Sequence, residues 1–426
     1  MKKFLALALA AAMSLSLAAC GGGNGGQGGG SSAGGSDGSV SNSGGAVSTP
    51  VSGGSDFKVG AIYITSQNDV AGYTFQHHNG ITTAMKDLGM DPATQLLIVD
   101  NVAEDDTAVS NAIDTLANQG VSIIFGISFG YIDAMEDGAE RYPYIIFSHG
   151  TGYKANDTNF NNYFGRIYQA RYLAGIAAGM KSLELGNNNI GYVAAYNREY
   201  AETCSGINAF ALGAQSANPD ALVYVNKINA WGDEAKERQA AQALIDTYSC
   251  GVISQHCDSA QPQLVAAENN VFGCGYNSDM TEQAPTAHLT AAIWHWNVYY
   301  QTAIQAAMDC DGDTSQFVDK MGGNAYYAGL AEGFVDASPL NESVAAPDTQ
   351  AVMTAVRDLM ISGEWDVFSG VKLSYNITDG QVEIVKTDAD LVDTEGNVIV
   401  AAGGPSVDDG VIKGSMNYNV AGVVEG

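Results

Sequence analysis

Short apolar runs alternate with amphipathic stretches along most of this chain. Near-continuous apolar runs bounded by turn residues occupy 57–64 (FKVGAIYI), 95–100 (QLLIVD), 121–127 (VSIIFGI) and 144–148 (YIIFS). Between them, Ile81, Met85 and Leu88 recur at helical spacing and stop at Gly89. Val109, Ala112, Ile113 and Leu116 do the same and stop at Gly120. A helix that buries one stripe repeats every 3.6 residues, and a glycine just past the stripe ends it. Strands that are apolar on both faces and joined by helices predict a parallel sheet covered on both sides. The cycle then restarts, with strands at 189–195, 221–228, 250–255 and 271–275 and helices near 199–216 and 233–247. A further strand at 287–293 leads into a helix from about 296 to 309.

The expected fold class is therefore α/β, with two doubly wound parallel-sheet lobes. Lobe 1 is placed at 57–166 and lobe 2 at 167–285, with 286–336 crossing back between them. Crossovers are expected near 163–170 and 280–290. Past residue 337 the pattern changes. A helix is expected near 347–361, and two alternating strands, 371–378 and 381–387, flank a Thr378-Asp-Gly-Gln381 turn. The stretch 337–426 reads as a C-terminal accessory segment packed on one lobe.

The first twenty residues follow a different logic. A basic Met1-Lys2-Lys3 start precedes an apolar run, Phe4 to Leu17, too short for the roughly 20 residues of a bilayer-spanning helix. This is the pattern of a secretory signal peptide. It ends Leu17-Ala18-Ala19-Cys20-Gly21, which resembles a bacterial lipobox and makes Cys20 the expected lipid anchor at 1–20. Residues 21–55 hold 15 Gly and 9 Ser and read as a flexible tether. Its r.m.s. span would be about 30–35 Å. The expected location is the cell membrane, lipid-anchored on the extracytoplasmic face.

Charge narrows the class of partner. The chain has 18 Lys+Arg against 47 Asp+Glu, a net of −29. Such a surface repels phosphate backbones, which excludes nucleic-acid binding through a basic face. Five cysteines remain after Cys20, and they read as buried small hydrophobes, with a Cys250–Cys257 bridge as the alternative.

In open parallel sheets, ligands sit beyond the carboxyl ends of the strands. Here those loops are 65–73, 128–133, 149–153, 196–199, 229–233, 256–260 and 276–280. They collect Tyr73, Phe129, Tyr131, Trp231, Asp258, Tyr276, Asn277 and Asp279, with almost no basic residue. Such a cleft suits a neutral, flat ligand that stacks and hydrogen-bonds. A phosphate or carboxylate would want arginine or a glycine-rich helix start.

Other chemistries are weaker. No Gly-x-Gly-x-x-Gly or P-loop follows a strand, so no nucleotide cofactor is expected. His77-His78, His149, His256 and His295 lack metal-ligand spacing, and His77 or His78 reads as a hydrogen bonder at the cleft lip. Asp309-Cys-Asp-Gly-Asp313 departs from a calcium loop, with Lys320 where the bidentate Glu belongs. Gly126-Ile-Ser-Phe-Gly130 has the letters of a nucleophile elbow after a strand, which keeps a hydrolase using Ser128 as an alternative from another class.

Several stretches together resemble one family. They are Ser128-Phe-Gly-Tyr131, Tyr163-Phe-Gly-Arg-Ile-Tyr-Gln-Ala-Arg-Tyr-Leu-Ala-Gly175, Asn208-Ala-Phe-Ala-Leu-Gly213, Gly275-Tyr-Asn-Ser-Asp-Met280 and the ending Gly-Val-Val-Glu-Gly426. With the lipobox and tether, they resemble the basic membrane protein (BMP, PnrA-like) family of substrate-binding lipoproteins of ABC importers. The resemblance implies a type I periplasmic-binding-protein fold, an ABC permease and its ATPase as partners, and a purine ligand. It is closer to a branch that takes free purine bases than to the nucleoside binders. It implies that Tyr73 and Trp231 stack on the two faces of the base. Asn277 and Trp294 stand where the nucleoside binders place an Asp and a Lys for ribose. The implied site is Tyr73, Phe129, Trp231, Asp258, Asn277 and Trp294, with adenine as first candidate. A nucleoside receptor, and a surface sensor serving a signalling partner, are the alternatives.

Overall fold

The computed structural model describes residues 56–425. The expected signal peptide, tether and anchor Cys20 lie outside the described residues. The first half opens β1 (Val59–Tyr63), α1 (Gly72–Asp87), α2 (Pro92–Gln95) and β2 (Leu96–Val99). It continues α3 (Asp106–Asn118), β3 (Ile123–Ile127), α4 (Ile132–Arg141), β4 (Ile146–Gly150) and β5 (Phe160–Gly165). The expected stops are real: Gly89 and Gly120 both take φ of +75°, which glycine adopts without a steric cost. Asp105 caps α3 by accepting from the Ala108 amide at 3.0 Å.

The second half repeats the plan. It runs α5 (Ile167–Leu185), β6 (Asn189–Ala194), α6 (Ala201–Ala217), β7 (Leu222–Lys227), α7 (Glu234–Tyr248) and β8 (Val252–His256). Then come α8 (Gln261–Glu268), β9 (Phe272–Asn277) and β10 (His288–Trp294). The chain returns through α9 (Trp296–Asp309), α10 (Phe317–Lys320) and β11 (Ala325–Ala328), then crosses again to β12 (Val335–Ala337). The C-terminal segment holds α11 (Thr349–Ile361), the hairpin β13 (Val371–Thr378) and β14 (Gln381–Asp388), and the small pair β15 (Leu391–Val392) and β16 (Val398–Val400). It ends with α12 (Asp409–Gly414) and β17 (Val423–Glu425).

Two sheets result. The first has order β11-β5-β4-β3-β1-β2, parallel throughout. The second has order β12-β10-β9-β8-β6-β7-β17, parallel except for the antiparallel β12 edge. Apolar clusters cover the outer face of each sheet, and one larger cluster runs from the first sheet through α5 and α9 to the second.

Three differences from the expected layout stand out. Residues 160–165, expected to lead into a crossover, form a fifth strand. Its two asparagines hide it in the sequence, yet both are buried and paired. Asn161 accepts from the Tyr299 hydroxyl at 3.1 Å, and Asn162 donates to the Lys154 carbonyl at 3.2 Å. The crossover expected near 280–290 falls instead at His295, because 278–287 only join β9 to β10 of one sheet. Beyond the crossing at Arg166, a third one at the 329–334 turn leaves no trace in the sequence, because β11 and β12 are too short to carry a periodic signal. The C-terminal segment also does more than pack on a lobe, since β17 extends the second sheet beside β7.

All five described cysteines are buried and free, so the Cys250–Cys257 alternative is not formed. No described helix is long and apolar enough to cross a membrane.

Candidate functional site

A cavity of about 680 Å³ lies where the carboxyl ends of the two sheets face each other. The first sheet and its loops contribute Ile64, Tyr73, Ser128, Phe129, Thr151, Tyr153, Asn162, Phe164, Tyr326 and Tyr327. The second contributes Glu199, Tyr200, Glu202, Trp231, His256, Asp258 and Tyr276, and α12 adds Gly410, Lys413 and Gly414. Drug-sized ligands generally occupy cavities of about 300–1,000 Å³ with apolar walls and a few polar groups.

The two halves touch beside the cavity. The Gly72 amide, at the start of α1, points to Ser278 Oγ at 3.3 Å. Gly72 has φ of +88°, and a Cβ there would stand 2.0 Å from the Asp258 carbonyl oxygen. Only a residue without a side chain allows this approach. Aromatic rings bridge the same gap: Phe129 meets Tyr200 edge-on at 5.7 Å, and Tyr200 and Tyr196 flank Trp231 at 5.4 and 4.8 Å.

Asp258 sits in the loop after β8. Its Oδ1 accepts from Asn277 Nδ2 at 2.9 Å, and its amide donates to the Trp231 carbonyl at 3.1 Å. Burial, reinforced by the Glu237 charge and opposed by Asn277, pushes its carboxyl up to about 8. At neutral pH it is an acid that both donates and accepts.

Glu202 opens α6 and is the opposite kind of acid. Burial alone raises it, but His256 and Arg171 bring it below its ordinary value. Its Oε2 accepts from His256 Nε2 at 2.9 Å. Burial and the Arg171 charge lower His256, with Glu202 opposing, and the bond to Glu202 assigns a proton to Nε2. Arg171 lies under the floor, 3.9 Å from the centre of the Tyr276 ring. Glu202 Oε1 and the Tyr73 hydroxyl are buried with no protein partner, while His256 Nδ1 is turned toward Gly206 and the Arg171 side chain. Buried polar atoms are nearly always satisfied, so two such atoms on residues of one cavity wall mark where a ligand's own groups belong.

The structure brings Tyr73, Phe129, Trp231 and Asp258 to the cavity wall. Asn277 stands just behind, holding Asp258 through its side chain. Trp294 is elsewhere. It stacks on Trp296 at 4.4 Å and donates from Nε1 to the Tyr276 hydroxyl at 3.3 Å, one layer beneath the wall. It therefore does not fill the cavity. Tyr131 and His77 are also interior. The Tyr131 hydroxyl donates to the Val102 carbonyl at 2.6 Å, and His77 stacks on Trp296 at 4.0 Å rather than standing at the lip. Asp279 turns away to cap Thr281. Glu202 and Lys413 went unnoticed in the sequence. Glu202 lies beyond the loop that ends at residue 199, and Lys413 comes from the distant tail, its Nζ 4.4 Å from the Tyr327 ring centre.

Ser128 Oγ donates to Glu104 at 2.5 Å, while His149 Nε2 lies 2.7 Å from the Ser128 carbonyl. The histidine thus meets the backbone, not the hydroxyl, and burial pushes it down to about 4. That is no nucleophile–base pair.

Residues 57–366 match the family described as ABC transporter substrate-binding protein, PnrA-like. The chain belongs to this Bmp family. Among its relatives is a purine-binding protein of Brucella abortus, 35% identical over 314 residues, which cover 74% of this chain and 83% of the relative. A putative ABC transporter glucose-binding protein of Haloferax volcanii is 36% identical over 254 residues, 60% of this chain and 61% of that one. Solved ABC-transporter solute-binding proteins share the fold of this Bmp protein. One from Aeropyrum pernix has a TM-score of 0.58 at 15% identity over 76% of this chain and 94% of its own. One from Conexibacter woesei has 0.55 at 21% over 73% and 98%. A substrate-binding protein captures its ligand without turnover, so this Bmp protein is not an enzyme and the hydrolase alternative falls away. Lys413 and the rest of α12 lie beyond the family-matched region, yet they form part of the cavity wall.

Proposed function

We propose that this substrate-binding protein captures a purine base, adenine first, and presents it to an ABC permease from the outer face of the membrane, anchored through Cys20. The observation that supports the ligand most strongly is the pairing of stacking walls with two acids in different states. Tyr73 and Trp231 line the cavity from opposite halves, and base–aromatic stacking contributes about 1–3 kcal/mol per base. Asp258, as a neutral acid, offers O–H and C=O side by side, which matches a ring nitrogen next to an exocyclic amine. Glu202 Oε1, as a carboxylate, accepts a second N–H. Adenine carries both patterns, and the Brucella relative's description points the same way.

With Trp294 beneath the wall, and with adenosine offering the same edge as adenine, the preference for base over nucleoside rests on the resemblance to the base-binding branch. Calorimetry with adenine, adenosine, hypoxanthine and glucose tests the proposal. Adenine binding tightest supports it. Adenosine tighter by tenfold or more moves the protein to the nucleoside binders, and glucose binding alone moves it toward the Haloferax relative. For the anchor, Cys20→Ala is expected to release folded protein from the membrane fraction; retention equal to wild type removes that part of the proposal.

A further inference from the structure

We propose that Glu237, a carboxylate beneath the cavity floor, is the positioning residue that joins the Trp231 turn to the Asp258 loop and acts on Asp258 through its charge. This rests on the ligand site described above.

Glu237 lies on the first turns of α7 and is fully buried. Its Oε1 accepts from the Asp233 amide at 3.0 Å, in the turn that follows Trp231. Its Oε2 accepts from the Ser259 amide at 3.2 Å and from Ser259 Oγ at 2.5 Å, in the loop that carries Asp258. The bond from the Asp258 amide to the Trp231 carbonyl closes the circuit. One side chain thus sets the distance between a stacking ring and the acid expected to read the edge of the same ligand.

Positioning alone does not call for a charge. A glutamine keeps the bond from the Asp233 amide and can donate to a turned Ser259 hydroxyl, so both loops stay tied and only the bond from the Ser259 amide is lost. Among the described residues no Lys or Arg pairs with Glu237 or Asp258. The charge falls on Asp258, where it is the largest contribution after burial in keeping the proton on. Asp258 is also faced by Glu202 from α6 and Asp69 from the β1–α1 loop, which act in the same direction, and by Asn277 from β9, which opposes them. The Tyr73 and Tyr276 hydroxyls and the neighbouring Cys257 thiol stay protonated through neutral pH, all raised by burial. Burial and Arg171 lower His256 against the pull of Glu202; the cations nearby are Lys413 on the wall and Arg171 under Tyr276.

The test separates the two roles. In ligand-free wild type, carboxyl-carbon NMR is expected to show Asp258 titrating near pH 8, and in Glu237→Gln at a clearly lower pH. Adenine affinity in the wild type is expected to hold from pH 6 to 7 and then fall about tenfold per pH unit above the midpoint. In Glu237→Gln the fall begins earlier. Glu237→Ala, which also unties the loops, is expected to bind adenine about tenfold more weakly than Glu237→Gln at pH 6. An unchanged Asp258 midpoint in Glu237→Gln overturns the role of the charge, and equal affinities of the two variants at pH 6 overturn the positioning. If neither variant folds, an ordinary Asp258 midpoint in the wild type overturns the proposal by itself. Failure of adenine to bind sinks the ligand reading, while the NMR midpoints still decide Glu237.

Discussion

The two walls of the cavity differ in kind. The wall from the first sheet is neutral: Tyr73, Phe129, Tyr326 and Tyr327, with hydroxyls and amides from Ser128, Thr151 and Asn162. Behind it lies a neutral aromatic stack. Tyr163 packs flat on Tyr299 at 3.9 Å and shares its hydroxyl with Tyr300 at 2.8 Å. The wall from the second sheet holds Glu199, Glu202, His256 and Asp258, with Arg171 and Glu237 buried behind. The first wall therefore supplies shape and the second supplies directed polarity. In the proposed site, hydrogen bonds to a ligand would come from the second wall and contact area from the first. Hinge closure of two lobes around a ligand is a common way to couple binding to shape.

Five predictions press on that division. Gly72→Ala attacks the junction of the two walls and should have the largest effect. A Cβ 2.0 Å from the Asp258 carbonyl oxygen must push the halves apart. Overpacking plus left-handed strain costs about 2–5 kcal/mol, a loss of 30-fold or more in ligand affinity by calorimetry. If affinity is kept, the contact is not part of the bound state.

Trp231→Ala removes the ring of the charged half and should weaken adenine by roughly 5- to 150-fold, with the tryptophan fluorescence change on binding reduced. Unchanged affinity both there and in Tyr73→Ala would sink the stacking pocket. Glu202→Gln replaces a charged acceptor. It should cost about 1.5–3 kcal/mol toward adenine and much less toward unsubstituted purine, read in parallel titrations. Equal losses for both ligands would mean that Glu202 supports the fold and not the amine.

Phe129→Ala, on the neutral wall, should cost only about 0.5–1.5 kcal/mol, because its partner Tyr200 still covers the mouth. A loss as large as that of Trp231→Ala would erase the difference between the walls.

A further effect is pH-dependent and is read in the ligand-free protein. Asp258 is pushed up to about 8 when folded, against about 3.9 in an unfolded chain. Between those values the folded state holds a proton that the unfolded state has released, so this group's contribution to stability declines as pH rises from about 4 to 8. Asp258→Asn removes the decline. Its melting temperature relative to wild type should rise between pH 5 and pH 7.5, and a constant difference would show that Asp258 titrates normally.

Trp294 and His77 show where reading from the sequence stops. Both are large groups next to loops that bound the cavity, and nothing in their spacing says which side of the wall they occupy. Trp294 ends β10, where successive side chains alternate across the sheet, and the register of β10 against β9 turns it under Tyr276. His77 lies on α1 one turn after Tyr73, and the packing of α9 brings Trp296 over it.

The alternation of apolar runs and amphipathic helices determined the two parallel sheets by itself, since burial on both faces leaves a local, periodic trace in the residues. The loops at the strand ends, and with them Tyr73, Phe129, Trp231 and Asp258, followed from the same periodicity. Tertiary structure alone decided what those residues are chemically. Asp258 holds its proton because the fold buries it, with the charge of Glu237, 21 positions earlier in the chain, added to that, and Glu202 loses its own because His256 and Arg171 converge on it from β8 and α5. Lys413 joins the wall because Arg166, at the first crossover, clasps Asp409 at 2.6 Å and holds α12 against the cavity. Charge acts through space over several ångströms, and no spacing along a chain records which distant groups the fold will bring within that reach.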